Sequence, residues 1–324
     1  MWVFGEQEIQ EAISLDMEVV KAIEKGFFTL VEKRVQVPPI LRVDLSEYQG
    51  EVDVKTAVVK GEPYFAVKIS SGFFNNPHRG LPSGSGMMIL LNVETGFPEA
   101  IFLDHGYLTD IRTAAAGAVA AKYLALETIQ TAGMIGAGTQ ARYQMKALAL
   151  VRSLDQIRIW SRSRERAEDC AKEMKTELGV RVEVFPHPEP VVRGSDVVVT
   201  ATPSTTPLVQ KEWFHDGLHL TAMGSDSEYK QEVEVDAIAS ADRLICDDRE
   251  QSFRLGELRS AWDEGRLRNK EVTELGDIVA GRAPGRRSNK EVTLCDLTGV
   301  GVQDTVIAIM AYHRLKQQKK GVRL

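Results

Sequence analysis

The sequence predicts an α/β fold, with a Rossmann-type, doubly wound parallel sheet in one domain and an α+β arrangement in the other. From residue 129 onward, strand-forming and helix-forming runs alternate, and alternation of this kind implies a parallel sheet with helices on its faces. Between residues 41 and 103, short β-rich runs are separated by turn residues instead. A chain of 324 residues is long for one core and comfortable for two domains.

The composition is that of an ordinary globular protein. Hydrophobic residues make up 43% and charged residues 27%, and the formal net charge of −6 argues against a binder of nucleic acid or of membrane surfaces. Cys170, Cys246 and Cys295 are far apart and odd in number, which is typical of a reducing compartment. We expect a cytoplasmic protein without a membrane span, because the sequence shows no signal peptide and no run of 18 apolar residues. The histidines show no paired ligand spacing, so no metal site is expected.

The first half of the chain predicts a helix, a group of strands and a second helix. Apolar side chains recur at helical spacing over residues 14–32, and Pro38 and Pro39 end that helix. Four β-rich runs follow, at residues 56–59, 64–69, 87–92 and 100–103. Residues 109–126 are rich in alanine and return to helix.

The second half predicts alternating strands and helices. The strands are expected at residues 131–135, 157–160, 182–185, 196–201, 219–223 and 243–246. The helices are expected at residues 140–151 and 164–178. A last helix over residues 302–315 has no predicted strand after it, and the sequence leaves open whether it caps this domain or crosses back to the first.

The strongest local signal is a turn of the form G-x-G-x-x-A at residues 136–141, which follows a predicted strand and opens a predicted helix. Gly136 allows the tight turn, Gly138 lets the backbone approach a pyrophosphate, and Ala141 lets the helix pack close to the sheet. The helix N-terminus offers free N–H groups to the phosphates. This turn in this context predicts a dinucleotide site.

The end of the next strand distinguishes between the two nicotinamide cofactors. An NAD site usually has an acidic residue there to bind the ribose 2′-hydroxyl, and this sequence has Ser161, Arg162 and Ser163 instead. An arginine flanked by hydroxyls can bind a 2′-phosphate, so the pattern favours NADP(H) over NAD(H). The alternative is that Arg162 only begins an exposed helix. The polar loop from Thr202 leaves the carboxyl end of another strand, where doubly wound sheets bind ligands.

Three cations and one carboxylate are candidates for a substrate site. Lys68 alternates with apolar neighbours in a predicted strand, and because burying an unpaired charge is costly, it needs a partner such as a substrate carboxylate. Arg42 follows the proline pair, Arg112 lies in the alanine-rich helix, and Asp226 follows a strand end. Taken singly, each of the four also fits an internal ion pair or a surface charge.

Several of these segments occur together, and in the same order, in one known family. They are the Lys68 strand, the Asp-Ile-Arg-Thr-Ala-Ala-Ala run at residues 110–116, the turn at 136–141, the Gly-Ser-Asp turn at 224–226 and the segment 299–304. With this set, the sequence resembles the ornithine cyclodeaminase/mu-crystallin family over nearly its whole length. Residues 72–77, 106–110 and 301–305 are most similar to the cyclodeaminase-like proteins of ectoine utilisation.

The resemblance implies a homodimeric enzyme with a small-molecule amino or imino acid as substrate. Residues 1–123, completed by the C-terminal helix 304–324, would bind substrate and carry the dimer contact, and residues 124–303 would form the NAD(P)-binding Rossmann domain. Lys68 and Arg112 match the residues that bind the substrate carboxylate, and Arg42 is expected to assist them. Asp226 matches the catalytic carboxylate, and Lys68 is expected to act beside it in catalysis.

Cofactor contacts are expected from the glycine-rich turn, the strand ends and the residues that match the family. They are Thr113, Gly136, Gly138, Thr139, Gln140, Ala141, Ser161, Arg162, Ser163, Thr202, Met223, Gly224, Ser225 and Gly299.

Two departures from the family pattern bear on the substrate and the cofactor. The cyclodeaminases hold the distal amine of ornithine with an acidic side chain in the first sheet, where this sequence has Val-Lys-Thr at residues 54–56 and only Glu51 nearby. The Trp160-Ser161-Arg162 ending is similar instead to the NADPH-using ketimine reductases.

The resulting hypothesis is an NAD(P)-dependent oxidoreductase that acts on the α-carbon of an amino or imino acid, as an imine reductase or amino-acid dehydrogenase. Lys68, Arg112 and Asp226 are expected to lie together beside the nicotinamide ring. One alternative is a cyclodeaminase that releases ammonia from a diamino acid without net redox change. Another is a non-enzymatic NADPH-dependent binding protein.

Overall fold

The computed structural model describes residues 1–32 and 34–324, which fold as two compact units. The first unit consists of residues 1–112 and 300–324, and the second of residues 113–299. The sequence prediction set the corresponding boundaries at 123/124 and 303/304. The first boundary in the structure lies inside the helix Tyr107–Leu124 rather than at its end.

The described chain forms the following helices and strands, joined by loops. The helices are α1 (Glu6–Ala12), α2 (Met17–Val31), α3 (Tyr107–Leu124), α4 (Thr139–Val151), α5 (Arg164–Leu178), α6 (Pro188–Arg193), α7 (Val235–Ser240), α8 (Arg249–Leu255), α9 (Leu258–Asp263), α10 (Leu275–Val279) and α11 (Gly301–Gln317). The strands are β1 (Trp2–Gly5), β2 (Val35–Gln36), β3 (Leu41–Leu45), β4 (Gly50–Val59), β5 (Tyr64–Phe73), β6 (Gly84–Asn92), β7 (Pro98–Leu103), β8 (Thr131–Ile135), β9 (Gln156–Trp160), β10 (Arg181–Val184), β11 (Val197–Thr200), β12 (His219–Ala222), β13 (Arg243–Cys246), β14 (Val272–Glu274), β15 (Thr293–Asp296) and β16 (Val322–Arg323).

The first unit is a mostly antiparallel sheet with the strand order β16-β1-β7-β6-β5-β4-β2, in which β3 also pairs with β4. Helix α11 is fixed to this sheet by Thr305, whose hydroxyl donates to the Ala57 carbonyl at 2.7 Å and accepts from the Ala66 amide at 3.1 Å. A side chain at Gly301 would overlap the carbonyl oxygen of Thr56. Only glycine therefore lets the helix begin so close to β4.

The sheet face that points away from α11 is apolar and partly exposed in the single chain. Leu41, Val54, Ile69 and Met87 are successive cross-strand partners on β3 to β6, and Leu103 continues this row on β7. The exposed fractions of Leu41, Met87 and Leu103 are 58%, 38% and 43%.

The second unit is an eight-stranded sheet with the order β10-β9-β8-β11-β12-β15-β13-β14, and all its paired strands are parallel. The chain adds β9 and β10 on one side of β8 and the later strands on the other. This is the doubly wound parallel sheet that the alternation predicted, and the fold prediction is confirmed. The edge near β8, where the winding changes direction, is where such sheets bind ligands.

Some short elements were absent from the prediction. β15 lies in the middle of the parallel sheet, between β12 and β13. The two-residue strand β16 follows α11 and pairs with β1, so the expectation of no strand after the last helix was wrong. Helix α11 packs on β4, β5 and α2, which settles its open position: it crosses back to the first unit.

No helix in the described residues is both long and apolar enough to cross a membrane.

Candidate active site

The glycine-rich turn lies between β8 and α4, with the shape that a dinucleotide requires. Gly136 has a φ of +123°, and a Cβ there would lie 2.7 Å from the Ala201 carbonyl oxygen, so the turn admits only glycine. Around Gly138, no atom lies within 4 Å of the Cβ position, which leaves open space in front of the first turn of α4. Ala141 is fully buried. This cradle fits a pyrophosphate on a helix N-terminus.

Two further predicted cofactor contacts are joined by one buried side chain. Gln144 on α4 is 2% exposed, and its amide nitrogen donates to the Thr113 carbonyl at 3.1 Å and to the Gln140 side chain at 3.3 Å. A side chain at Gly117 would overlap Gln144. Gln144 thus ties α3 to α4 next to the glycine-rich turn, and Thr139, the first residue of α4, stays exposed.

Two serines and an arginine, Ser161, Arg162 and Ser163, directly follow the end of β9. Arg162 is exposed, and Ser161 is partly buried. Ser163 serves as the N-cap of α5, because its hydroxyl accepts a hydrogen bond from the Arg166 amide at 3.3 Å. Part of the bonding capacity of Ser163 is therefore used by the helix.

A buried carboxylate that the sequence analysis missed fixes two of the cofactor loops. Glu232 is fully buried, and one of its oxygens accepts from the Thr202 amide and hydroxyl, both at 2.7 Å. The other oxygen accepts from the Thr200 hydroxyl at 2.7 Å and the Gly224 amide at 2.8 Å. Burial raises the pKa of Glu232, and these four bonds oppose the rise. Glu232 therefore links the carboxyl ends of β11 and β12.

The loop at Gly299 is held in the same way by Asp247, which is 2% exposed. Its carboxylate accepts from the Gly299 amide at 2.6 Å and from the Thr298 hydroxyl at 2.9 Å. Burial raises the pKa of Asp247, and the bonds to Gly299 and Thr298 act against that rise. Gly299 has a φ of +81°, a conformation that favours glycine.

Asp226, the predicted catalytic carboxylate, forms an ion pair with a lysine four residues on. Its Oδ1 lies 2.7 Å from Lys230 Nζ, and the Lys230 side chain is only 5% exposed while that of Asp226 is 34% exposed. The Ser225 hydroxyl donates to the Lys230 carbonyl at 3.0 Å and holds the turn closed. Met223, the residue after β12, is partly buried. Lys230 is a residue the sequence analysis missed, although a charge at i+4 was a visible signal.

In the first unit, Lys68 and Arg112 meet at a single carboxylate. Lys68 Nζ lies 3.0 Å from one oxygen of Asp304, and Arg112 Nε lies 2.9 Å from the other. Exposed fractions are 1% for Lys68, 5% for Arg112 and 0% for Asp304. A second Arg112 nitrogen donates to the Gln303 side chain at 2.9 Å. The partner expected for Lys68 was a substrate carboxylate; the structure supplies Asp304, because α11 crosses back over β5.

Electrostatics in this cluster reflect two buried cations that share one acid. Burial lowers the pKa of Lys68 to about 7; Arg112 contributes to the drop, and Asp304 opposes it. Burial alone would raise the pKa of Asp304, but Arg112 and Lys68 outweigh it and hold that pKa below its usual value. The cluster of Lys68, Arg112 and Asp304 therefore carries an excess positive charge whenever Lys68 is protonated.

Arg42 lies on β3 among acidic side chains. Its guanidinium contacts Asp44 at 2.9 Å and Asp53 at 3.4 Å, and it also forms an ion pair with Glu51. These contacts give Arg42 a structural role on the sheet face, and its predicted help in substrate binding stays a prediction.

Within the first unit, the structure thus brings Lys68 and Arg112 together. Within the second unit, it brings together the glycine-rich turn, Glu232 and Asp226. The convergence of Lys68, Arg112 and Asp226 beside the nicotinamide stays a prediction. Among residues 1–32 and 34–324, no three His, Cys, Asp or Glu side chains are placed to hold a metal ion.

Comparisons with known proteins agree with the fold. The profile of the ornithine cyclodeaminase/mu-crystallin family matches residues 3–319. A putative dehydrogenase of Rhizobium meliloti is 48% identical over 99% of this chain and 98% of its own. The Δ1-pyrroline-2-carboxylate reductase of Thermococcus litoralis, solved with NADH and L-proline, superposes with a TM-score of 0.96 at 28% identity and covers 100% of both chains.

The iminosuccinate reductase of Paracoccus denitrificans, solved with NAD⁺, superposes with a TM-score of 0.88 at 32% identity, over 100% of this chain and 99% of its own. Both relatives have the fold of this chain, and both were solved with a nicotinamide cofactor. Because the family profile matches nearly the whole sequence, the chain belongs to the ornithine cyclodeaminase/mu-crystallin family.

Proposed function

We propose that this protein is an NAD(P)-dependent enzyme that reduces the imine of an α-imino acid to the amine, and catalyses the reverse oxidation. When bound, the reduced nicotinamide supplies a hydride to the α-carbon. The electron pair of the C=N bond then passes to nitrogen, which takes up a proton. The chain's own residues have to bind the carboxylate, orient the α-carbon and deliver that proton.

The observation that carries this proposal is the excess positive charge at Lys68 and Arg112. Two cations, 1% and 5% exposed, share the single carboxylate of Asp304. An uncompensated buried charge is costly unless an anion balances it, and a substrate α-carboxylate would do so. Two fixed cations would also orient the α-carbon, and positioning contributes strongly to catalysis.

Asp226 is the residue we assign to the proton. It is the more exposed member of its pair with Lys230, so its side chain is accessible to a bound molecule or to water. The ion pair with Lys230 holds the Asp226 side chain in a defined orientation. We expect Asp226→Asn to lower kcat by about 10²- to 10⁴-fold, the usual worth of a general acid or base.

The direct test is a spectrophotometric screen of 2-oxo acids with ammonia or amines, and of cyclic ketimines, against NADPH and NADH. Consumption of reduced cofactor with wild type and its loss with Asp226→Asn are expected. Glu228→Gln, an exposed acid two residues away, should behave like wild type. Ammonia release from a diamino acid without any absorbance change would instead establish a cyclodeaminase, and no turnover with any substrate would refute the proposal.

The proposal includes a preference for NADPH over NADH. It is supported by the exposed Arg162 directly after β9 and by the absence of an acid at residues 161–163. Replacing Arg162 with alanine should raise the KM for NADPH about tenfold and leave that for NADH unchanged, because only the former has a 2′-phosphate. Arg164→Ala, which removes an exposed neighbour paired with Glu168, is the matched control. Equal effects on both cofactors would contradict the preference.

We also assign the first unit to substrate binding and to a homodimer contact through the sheet face away from α11. The support is the row of apolar side chains that includes Leu41, at 58% exposure. Leu41→Glu should shift the sedimentation coefficient from dimer to monomer, whereas Leu150→Glu, at an exposed apolar residue of the second unit, should not.

The three free, buried cysteines support a reducing compartment, and we extend the proposal to the cytoplasm.

A further inference from the structure

The first turn of α11 holds a buried amide side chain beside Arg112. Gln303 is fully buried, and its side-chain oxygen accepts a hydrogen bond from Arg112 Nη1 at 2.9 Å. A guanidinium has only donors, so this bond requires the oxygen of the amide, and not its nitrogen, to face Arg112. The orientation of the Gln303 amide is therefore set, and its NH₂ group is directed away from that contact.

The NH₂ group of Gln303 has no acceptor among residues 1–32 and 34–324. Two groups on α3 are in the same state within the described chain. Arg112 Nε lies 2.9 Å from Asp304 but out of line for a hydrogen bond, and the hydroxyl of Thr109, one turn earlier, is buried without a partner. Buried polar groups normally have partners, so donors gathered in this way favour an acceptor that a ligand supplies.

The backbone that carries Gln303 is fixed to the sheet of the first unit. A side chain at Gly301 would overlap the carbonyl oxygen of Thr56, so the helix begins in close contact with β4. Two residues after Gln303, the Thr305 hydroxyl donates to the Ala57 carbonyl at 2.7 Å. A donor held on a fixed backbone loses little conformational entropy when it binds a ligand.

The NH₂ group also lies within reach of an anion bound to Arg112. Covalent geometry separates the nitrogen and the oxygen of an amide by about 2.2 Å, so Gln303 Nε2 lies within about 5 Å of Arg112 Nη1. A carboxylate has two oxygens with several lone pairs, and it can accept from both donors at ordinary hydrogen-bond distances.

We propose that Gln303 is a further substrate-binding residue, whose Nε2 donates to the α-carboxylate that Lys68 and Arg112 bind. The proposal rests on the imine-reductase function above and leaves its chemistry unchanged. Two cations attract a carboxylate, and a neutral donor of fixed direction selects one orientation of it. Gln303 therefore helps to aim the α-carbon, while its own oxygen keeps Arg112 in place.

The first test measures the binding of one carboxylate probe, pyruvate, by calorimetric titration. Gln303→Met keeps the length of the side chain and removes both polar atoms, and Gln317→Met, at an exposed residue of the same helix, is the control. A hydrogen bond to a charged group is stronger than one between neutral groups, so the Kd for pyruvate should rise about ten- to hundredfold in Gln303→Met. The control should stay within about twofold of wild type.

Three readouts separate substrate binding from a role in the fold alone. Gln303→Met removes a donor that has no partner, which offsets the lost bond to Arg112, so the free energy of unfolding without ligand should change little. The affinity for NADPH should be unchanged. For the imine formed from pyruvate and ammonia, KM should rise and kcat should stay within about threefold, because the contact exists before and during the reaction.

A second variant decides the matter if Gln303→Met does not fold. Gln303→Glu retains an oxygen that faces Arg112 and replaces the NH₂ donor with a second acceptor, which repels a carboxylate. The Kd for pyruvate should then rise at least about hundredfold. Gln317→Glu adds the same charge at an exposed position of the same helix and should behave like wild type.

An unchanged Kd for pyruvate in either Gln303 variant would overturn the assignment of Gln303 and leave the imine-reductase function standing. A loss of stability and of NADPH affinity as large as the loss of pyruvate affinity would overturn it as well. Failure of wild type to reduce any imine would instead refute the function itself.

Discussion

Replacing Asp304 with asparagine should destabilise the protein strongly and in a pH-dependent manner. The change keeps the volume of the side chain and removes only its charge. Asp304 is fully buried and holds Lys68 at 3.0 Å and Arg112 at 2.9 Å, so the variant leaves two buried cations without their shared acid. Breaking a buried pair by removing one partner costs about 3–5 kcal/mol, chiefly because the remaining charge stays buried.

The pH dependence follows from Lys68. Its pKa is lowered to about 7 by burial and Arg112 while Asp304 opposes the drop, so removing Asp304 lowers it further. Above pH 7, Lys68 is mostly neutral in both proteins, and the variant loses mainly the Arg112 pair. Below pH 7, folded wild type binds a proton that the folded variant does not. The stability difference then grows as pH falls, by up to about 1.4 kcal/mol per pH unit.

The assay is urea unfolding followed by circular dichroism at pH 6.0 and pH 8.5. We expect a loss of several kcal/mol that is larger at pH 6.0. Asp44→Asn, which removes a 52% exposed partner of Arg42, is the control and should stay within about 0.5 kcal/mol of wild type. A loss below about 1 kcal/mol for Asp304→Asn, or one that is equal at both pH values, would refute the account of this cluster.

Three further outcomes are expected. In Glu232→Gln, the NH₂ group of the amide faces hydrogen-bond donors that now bind a carboxylate oxygen. The free energy of unfolding, measured by urea titration, should therefore fall by about 1–3 kcal/mol. The affinity for the dinucleotide should fall as well. Gly136→Ala should weaken dinucleotide binding at least about tenfold in a fluorescence titration, whereas Gly61→Ala, at a φ of +95° in open space, should not change it. Since only protonated Lys68 attracts a carboxylate, the calorimetric Kd for a carboxylate ligand should rise with pH above about 7, and it should be flat in Lys68→Arg.

Sequence order was enough for features that depend on neighbouring residues. The 136–141 turn follows its strand and opens its helix within a few residues, and α2, α3 and α11 carry long periodic or alanine-rich runs. The parallel sheet followed from the alternation of these runs. In each case the physical cause, a turn conformation or a buried helix face, lies inside one short segment.

What the sequence could not provide are partners brought close by the fold. Asp304 is 236 residues from Lys68, and no local pattern connects them. Glu232 lies 32 residues from Thr200, too far along the chain for a local pattern to connect the two. β15 has four residues after an irregular stretch, too few to show a period. The burial of Lys68 was predictable, but the identity of its acid depended on where α11 crosses.

The buried carboxylates of the two units have different partners: backbone and hydroxyl donors in the second unit, and cations in the first. This difference affects ligand binding. Glu232 and Asp247 each accept several hydrogen bonds from the chain, which oppose the cost of burying their charge and fix the loops at Gly224 and Gly299 before any ligand arrives. Asp304 instead is a single carboxylate that two buried cations, Lys68 and Arg112, share. A cluster of that kind lowers stability in the free protein, and an anion that enters it restores the balance. A carboxylate ligand that binds at this cluster should therefore raise the free energy of unfolding. The increase should be larger than the one expected from weak binding of the same ligand to exposed arginines and lysines elsewhere on the protein.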